Sequence, residues 1–477
     1  MRTVSPIAQR NRTSAGGPAI PGGRFANRRT PQTAVSKAKS ILKDPFRLAI
    51  SLLLIETIGK VTSVIPVLNG MRVGLVLFAS CSLYAALNAS KAINFDIFRY
   101  RVPQLILAQA VIACASAVMG ISLGHAAVYI LNVYWKTLAV AVLLIVTLRS
   151  ANDVRRMVLA TALGGSILAF IAVFVVHVSK WNGTPVYDAN DIGTIVVMTL
   201  PLVILAMQTS KGITRLTWLA GLVLIAATVT MSASRGAFLG MLAVGAALLL
   251  FLPGVSTGKR LGYVVGITIT LAFFAPSGYW DSMQSIITNP KADYNWDAGQ
   301  GRRKLAERGI GYMLDYPVFG IGIDNFGMAE GLYSDYAKEM QALDIGVKWS
   351  APHNSWVEAG AETGITGLVV WGALVLGSVG GLLKLRRRMP VSWATEGTAD
   401  QKFMYQATLY VPVAILGFAV CATFVSFAWS DQSYVLPAIA MGIQQACENE
   451  LGLGANAARP ASRQVRGRRA LRPTAVS

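Results

Sequence analysis

Long apolar runs alternate with short polar connections through most of the chain. A bilayer span needs about 20 consecutive apolar residues. Runs of this kind fall at residues 46–68, 71–90, 103–123, 126–148, 157–178, 191–208, 214–231, 236–252, 261–276, 356–383, 405–427 and 431–446. The pattern predicts an all-α integral membrane protein with about 12 transmembrane helices. Glu56 and Lys60 interrupt the first run, and the last is short. Two connections stand out. Residues 179–190 carry Trp181, Tyr187, Asp188 and Asn190, and residues 277–355 form a polar loop with Tyr279, Trp280, Trp296 and Trp349 spread along it. A loop this long is uncommon and usually functional. Within it, Lys304 to Leu314 reads as a short amphipathic helix. Asp315-Tyr316-Pro317 stops that helix, because proline pushes the residue before it out of the α region. Gly320-Ile321-Gly322 then reads as a turn.

Composition agrees with the periodicity. Only 14% of the 477 residues are charged and the mean hydropathy is +0.51, whereas a soluble domain carries about 25% charged residues. The net charge of +20 changes the picture through its placement. Basic residues fall in every second connection: Lys91, Arg99 and Arg101; Arg149, Arg155 and Arg156; Lys211 and Arg215; Lys259 and Arg260; and Lys384 with Arg386, Arg387 and Arg388. By the positive-inside rule these connections are cytoplasmic, as are both ends of the chain. The organisation that follows is a basic tail over 1–45, helices over 46–276, an outer loop over 277–355, helices over 356–446 and a second basic tail over 447–477. The tails lack apolar periodicity, so they read as disordered segments that meet anionic lipid. No aromatic residues interleave with their arginines, which argues against nucleic acid as a partner. Cys81, Cys114, Cys421 and Cys447 lie in or at the end of apolar runs, which leaves neither a disulfide framework nor a thiolate metal site.

The candidate chemistry lies on the outer side. Arg235, in Ser234-Arg235-Gly236, stands where the positive-inside rule disfavours arginine. Arg302 and Arg303 open the loop's short helix, where backbone donors and the helix dipole favour an anion. His353, one of three histidines, precedes the span at 356–383, and an imidazole suits general-base work at neutral pH. Asn354 and Glu358 follow it, and Glu362 lies one helical turn beyond Glu358. Asp188, Asn190, Asp191 and Asp431 mark the outer ends of two other spans. Asn190 and Asp431 suit helix capping, and with Asp188 they are also candidate substrate contacts. There is no DxD or HExxH pattern, so no metal or cofactor is expected. Arginines match phosphate in a bidentate fork. Gathered with one histidine over many apolar helices, they fit a substrate with its anion at the membrane surface and its tail in lipid, such as a polyprenyl-diphosphate-linked sugar.

Three segments resemble a known family. Pro352-His353-Asn354-Ser355-Trp356-Val357-Glu358, continuing to Ala361-Glu362-Thr363-Gly364, is similar to the "HNS…E…AETG" signature of the bacterial O-antigen ligase and Wzy-type polysaccharide polymerase superfamily. Gly301-Arg302 followed by Tyr316-Pro317-Val318-Phe319-Gly320-Ile321-Gly322 is similar to its "GR…HPLFGVG" element, with tyrosine in place of the usual histidine, and Ser234-Arg235-Gly236 to its "SRG" element. The resemblance covers roughly 190–370. It implies a GT-C-like membrane glycosyltransferase of the bacterial inner membrane. Such an enzyme moves a glycan from undecaprenyl diphosphate to an acceptor hydroxyl at the periplasmic face, without metal, in lipopolysaccharide or exopolysaccharide biosynthesis. The acceptor would be a glycan, a lipid A core or a protein. Arg235 and Arg302 would grip the diphosphate, and His353 would activate the acceptor hydroxyl or help hold the phosphates. Arg303 has no clear family counterpart. The rival reading is a non-enzymatic transporter of a polyprenyl-linked or anionic substrate. It requires polar residues or broken helices at mid-membrane, whereas the span middles are mostly Leu, Ile, Val, Ala and Gly.

Overall fold

A computed structural model describes residues 44–179, 182–251, 256–275, 278–288 and 301–452. The expected tails, apart from a few residues at their inner ends, lie outside the described residues, as do Trp181 and Trp296. The described residues are helical, with no strand among them. In chain order the helices used below are α1 (Pro45–Gly59), α2 (Val73–Leu87), α3 (Arg101–Met119), α4 (Leu123–Val146), α5 (Ala151–Val175), α6 (Ala189–Thr209), α7 (Ile213–Met231), α8 (Arg235–Phe251), α9 (Thr257–Phe274), α10 (Tyr279–Thr288), α11 (Arg302–Asp315), α12 (Asp335–Ala342), α13 (Ser355–Arg386), α14 (Ala399–Cys421) and α15 (Gln432–Glu450).

Helices stand at all twelve apolar runs, but only seven, α3 to α7 with α13 and α14, are long and apolar enough to cross a membrane by length and composition. The count of about 12 is not reached by this measure, for visible reasons. α1 stops before Lys60, which adopts a left-handed conformation (φ 45°), and the chain goes on only in the short turns Val61–Val64 and Pro66–Gly70. α2 and α8 are apolar but shorter. α9 carries Lys259 and Arg260 in its first turn.

α6 and α14 pack against each other at the centre and are the most enclosed of the seven. α5 and α7 cover α6, α8 packs on α14, and α13 lies between α14 and α3. Glycines allow the close approaches. A Cβ at Gly193 of α6 would strike Ala237 of α8, and one at Gly417 of α14 would strike Val244 of α8. The described residues of the segment read as outer loop include three helices, α10, α11 and α12. α11 packs along the first turns of α13, where Gly309 meets Val357 and Gly360 meets Met313.

Candidate active site

The segment around His353 is built on α13. Asn354 holds an extended backbone (φ −157°, ψ 109°), and its side chain accepts the N–H groups of Trp356 (3.0 Å) and Val357 (3.2 Å). That capping satisfies donors the helix leaves orphaned. The residue before the cap, His353, is left-handed at φ 50°, a conformation that costs a non-glycine residue of order 1–3 kcal/mol and clusters at functional sites. Its backbone N–H donates to Ser426 Oγ at 3.0 Å.

Ser426 belongs to residues 422–431, which link α14 to α15. The apolar run at 405–427 predicts a helix as far as Phe427, but α14 ends at Cys421. The linker instead serves the motif. Ser355 Oγ donates to the Val425 carbonyl (2.7 Å) and accepts the Phe427 N–H (2.9 Å). Glu358 Oε2 accepts the Ala428 N–H at 2.9 Å, and Glu362 Oε2 accepts the Trp429 indole N–H at 2.6 Å. Glu362 also accepts the backbone N–H groups of Asp324 (2.8 Å) and Phe326 (3.2 Å). One buried carboxylate thereby ties α13 to the linker and to the polar loop. Such groups must be paired where water is excluded.

The two longer motifs meet at a break in α13. Gly364 has φ 72° and ψ −179° inside the helix. A Cβ there would strike the backbone of Pro317 and Val318, besides straining the turn. Backbone groups freed by the break find partners in the opposite motif. Ile365 N–H donates to the Pro317 carbonyl (2.8 Å), Ile321 N–H to the Ala361 carbonyl (2.9 Å) and Gly322 N–H to the Glu362 carbonyl (3.1 Å). Gly320 (φ 70°) and Gly322 (φ 106°) make the expected turn.

This frame brings three of the sequence's candidates together. α11 runs alongside α13, so its first residue, Arg302, comes within electrostatic reach of His353. Asp188 and Lys348 also lie within electrostatic reach of the ring. Burial lowers the His353 pKa most, the Arg302 guanidinium and the Lys348 ammonium lower it further, and Asp188 opposes them; the result is about 4. The imidazole is therefore neutral at physiological pH. Among the described residues its ring takes no hydrogen bond. Arg235 opens α8 behind the left-handed Ala233 (φ 48°), and its neighbour Gly236 sits against Phe424, two residues from Ser426. The 422–431 linker thus connects the Arg235 corner to the His353 backbone.

Other candidates belong to the frame. Arg303 is exposed and pairs with Glu307 one turn along at 3.4 Å. Asn354 and Glu358 are engaged as described. The capping expected of Asn190 falls instead to Asp188, and Asp431 makes no side-chain cap. The extended backbone of Asp188 (φ −76°, ψ 178°) lets its carboxylate accept the Asn190 and Asp191 N–H groups, while Asp191 returns a bond to the Asp188 N–H. Asp431 is helical (φ −52°, ψ −32°), which turns its carboxylate away from the helix end and toward Lys60 Nζ at 3.4 Å. That ion pair accounts for the lysine that interrupts the first run. Among the described residues no three His, Cys, Asp or Glu side chains stand together as metal ligands. Sequence reasoning passed over Lys348, although it carries the signal that marks Arg235: a basic residue in a connection expected to lie outside, where the positive-inside rule disfavours one.

Residues 220–372 match the model of the Wzy_C family, described as O-antigen ligase. That stretch contains Arg235, Arg302 and His353 and ends beyond the break at Gly364. No curated protein matches the chain. From α7 through the break in α13 the chain is similar to the O-antigen ligase family, and the seven long apolar helices among the described residues agree with a multi-pass membrane protein.

Proposed function

We propose that this protein is a membrane glycosyltransferase that moves a glycan from undecaprenyl diphosphate to an acceptor hydroxyl at the periplasmic face of the inner membrane. The observation that supports the reading is that Arg302 and Asp188 lie within electrostatic reach of a half-buried, neutral His353 held in strained backbone. Arg302 and Arg235 bind the diphosphate. The acceptor oxygen attacks the anomeric carbon, the bond from that carbon to the phosphate oxygen breaks, and undecaprenyl diphosphate leaves with the electron pair. The configuration at the anomeric carbon inverts. His353 accepts the hydroxyl proton, a task that needs its ring neutral. A bound diphosphate offsets the effect of Arg302 and Lys348 and raises the basicity of the ring when the donor is in place. Arginine charge at the leaving group acts where charge develops.

A passage for a transported substrate is disfavoured by the break in α13. Backbone from Pro317 to Gly322 fills it and satisfies its hydrogen bonds. The decisive assay uses the full chain in lipid nanodiscs with an undecaprenyl-diphosphate-linked oligosaccharide as donor. His353→Ala and Arg235→Ala should each stop transfer while the folded protein persists. Wild-type activity in both variants would discard the assignment. Supplying either a second lipid-linked glycan or a lipid A core as acceptor separates polymerase from ligase.

A further inference from the structure

Residues 302–322 were read as part of a polar outer loop, yet they form a hairpin whose tip lies alongside a membrane helix. α13 has 32 residues, a rise of roughly 48 Å, while the hydrocarbon core is about 30 Å thick. The part from Ile365 to Arg386 alone rises roughly 33 Å. Lys384 and Arg386 anchor the far end, so the near boundary of the hydrocarbon falls around Gly364. α11 descends beside α13, and the hairpin tip, Tyr316 to Phe319, packs at Gly364.

One face of α11 changes character along this descent. Arg303, Glu307, Ile310 and Leu314 fall on a single stripe at helical spacing. The upper two are charged and paired; the lower two are apolar and exposed, Leu314 by 63%. Val318 at the tip is 51% exposed, and its surface continues into the exposed Ile365 and Val369 of α13. The tip's backbone is also prepared for lipid, where unsatisfied polar groups are costly. Carbonyls of Tyr316, Pro317 and Val318 accept from Gly320 N–H (2.9 Å), Ile365 N–H (2.8 Å) and Thr366 Oγ1, and Pro317 has no N–H to satisfy. Asp315, exposed a quarter-turn round the helix from Leu314, places the tip at the head-group boundary and not deeper.

We propose that the Leu314–Val318 tip is a membrane-insertion element, seated in the bilayer leaflet at the His353 end, and that it fixes how high Arg302 stands above the lipid. This rests on α13 crossing the membrane and not on the transfer chemistry. To test it, a photo-crosslinking phenylalanine analogue is placed at Leu314, at Val318 or at Leu343, which is as exposed as Leu314 but stands beside Asp344. Each full-length variant is reconstituted in phosphatidylethanolamine–phosphatidylglycerol vesicles and irradiated. Lipid adducts should form at 314 and 318 well in excess of those at 343. Leu314→Cys and Val318→Cys provide an independent reading. Both should react with an aqueous maleimide about tenfold or more slowly than Leu343→Cys, because lipid suppresses the reactive thiolate. Adducts no more abundant at 314 and 318 than at 343, or equal maleimide rates, would overturn the proposal.

Discussion

Two arginines on α11, Arg302 and Arg308, stand in opposite situations. The Arg308 guanidinium meets Glu330 through Nε at 2.9 Å and 2.8 Å and also through its NH2 group, and Tyr312 donates to the same carboxylate at 2.9 Å. Glu330 is fully buried. Arg302 has no acidic ion-pair partner among the described residues, and the neutral ring of His353 lies within its electrostatic reach. The difference teaches that residue type alone does not assign a role to an arginine in this fold. A guanidinium already matched by a carboxylate belongs to the scaffold; one within electrostatic reach of a neutral ring is, under the proposed function, the one that meets an incoming anion. Arg303, paired at the surface with Glu307, is a third situation with little at stake.

That contrast can be broken by substitution. The largest effect is expected at Arg302. Removing a guanidinium from a developing negative charge costs about 10²–10³ in rate by analogy with other oxyanion contacts, so Arg302→Ala should lose transfer by that order with an unchanged unfolding temperature. Arg302→Lys should not restore it if bidentate contact matters; near-normal turnover by the lysine variant would remove that feature. Arg308→Ala should do the converse. Breaking a buried ion pair leaves a charge uncompensated at about 3–5 kcal/mol, read as a large drop in thermal stability in nanodiscs. The double variant with Glu330→Gln should recover part of the loss, and no recovery would mean the pair is not the cause.

A smaller effect sharpens the comparison through pH. With a pKa of about 4, His353 stays neutral well below the usual histidine range, so the acid limb of kcat/KM should lie near pH 4 instead of near 6.5. Burial holds the value down first and Arg302 second. Arg302→Ala therefore removes one lowering cause, and the ring should titrate at higher pH, as followed by NMR of labelled histidine. An unmoved titration would show that the two groups do not interact. The smallest effect belongs to Arg303→Ala. An exposed pair one helical turn apart contributes about 0.3–0.5 kcal/mol, so stability and transfer should both stay near wild type. A severe transfer defect there would return Arg303 to the site.

Much of this was legible in the chain. The run from Lys304 to Leu314 and the Gly320–Gly322 turn were read at nearly the right bounds, since period and proline chemistry are local. Arg235 stood out as an arginine in a connection expected to be outer, Arg302 as an arginine opening a helix, and His353 as one of three imidazoles in the chain. The frame was not legible. Residues 422–427 read as helix because Phe424, Val425 and Phe427 are apolar, and nothing local shows that N–H groups of Phe427, Ala428 and Trp429 go to Ser355, Glu358 and Glu362. Glu362 gathers donors from three distant segments, a relation that no spacing rule encodes. The descent of α11 toward the membrane boundary was hidden for the same reason: it depends on the packing of Gly309 on Val357 and of Gly364 on Val318.

The most direct test measures binding of undecaprenyl diphosphate to the reconstituted protein. A charged hydrogen-bond contact is worth about 1.5–3 kcal/mol, which is roughly 10- to 100-fold in Kd. Arg302→Ala should weaken binding by that factor, while His353→Ala should leave it within a few-fold of wild type. Unchanged affinity in Arg302→Ala would contradict the account.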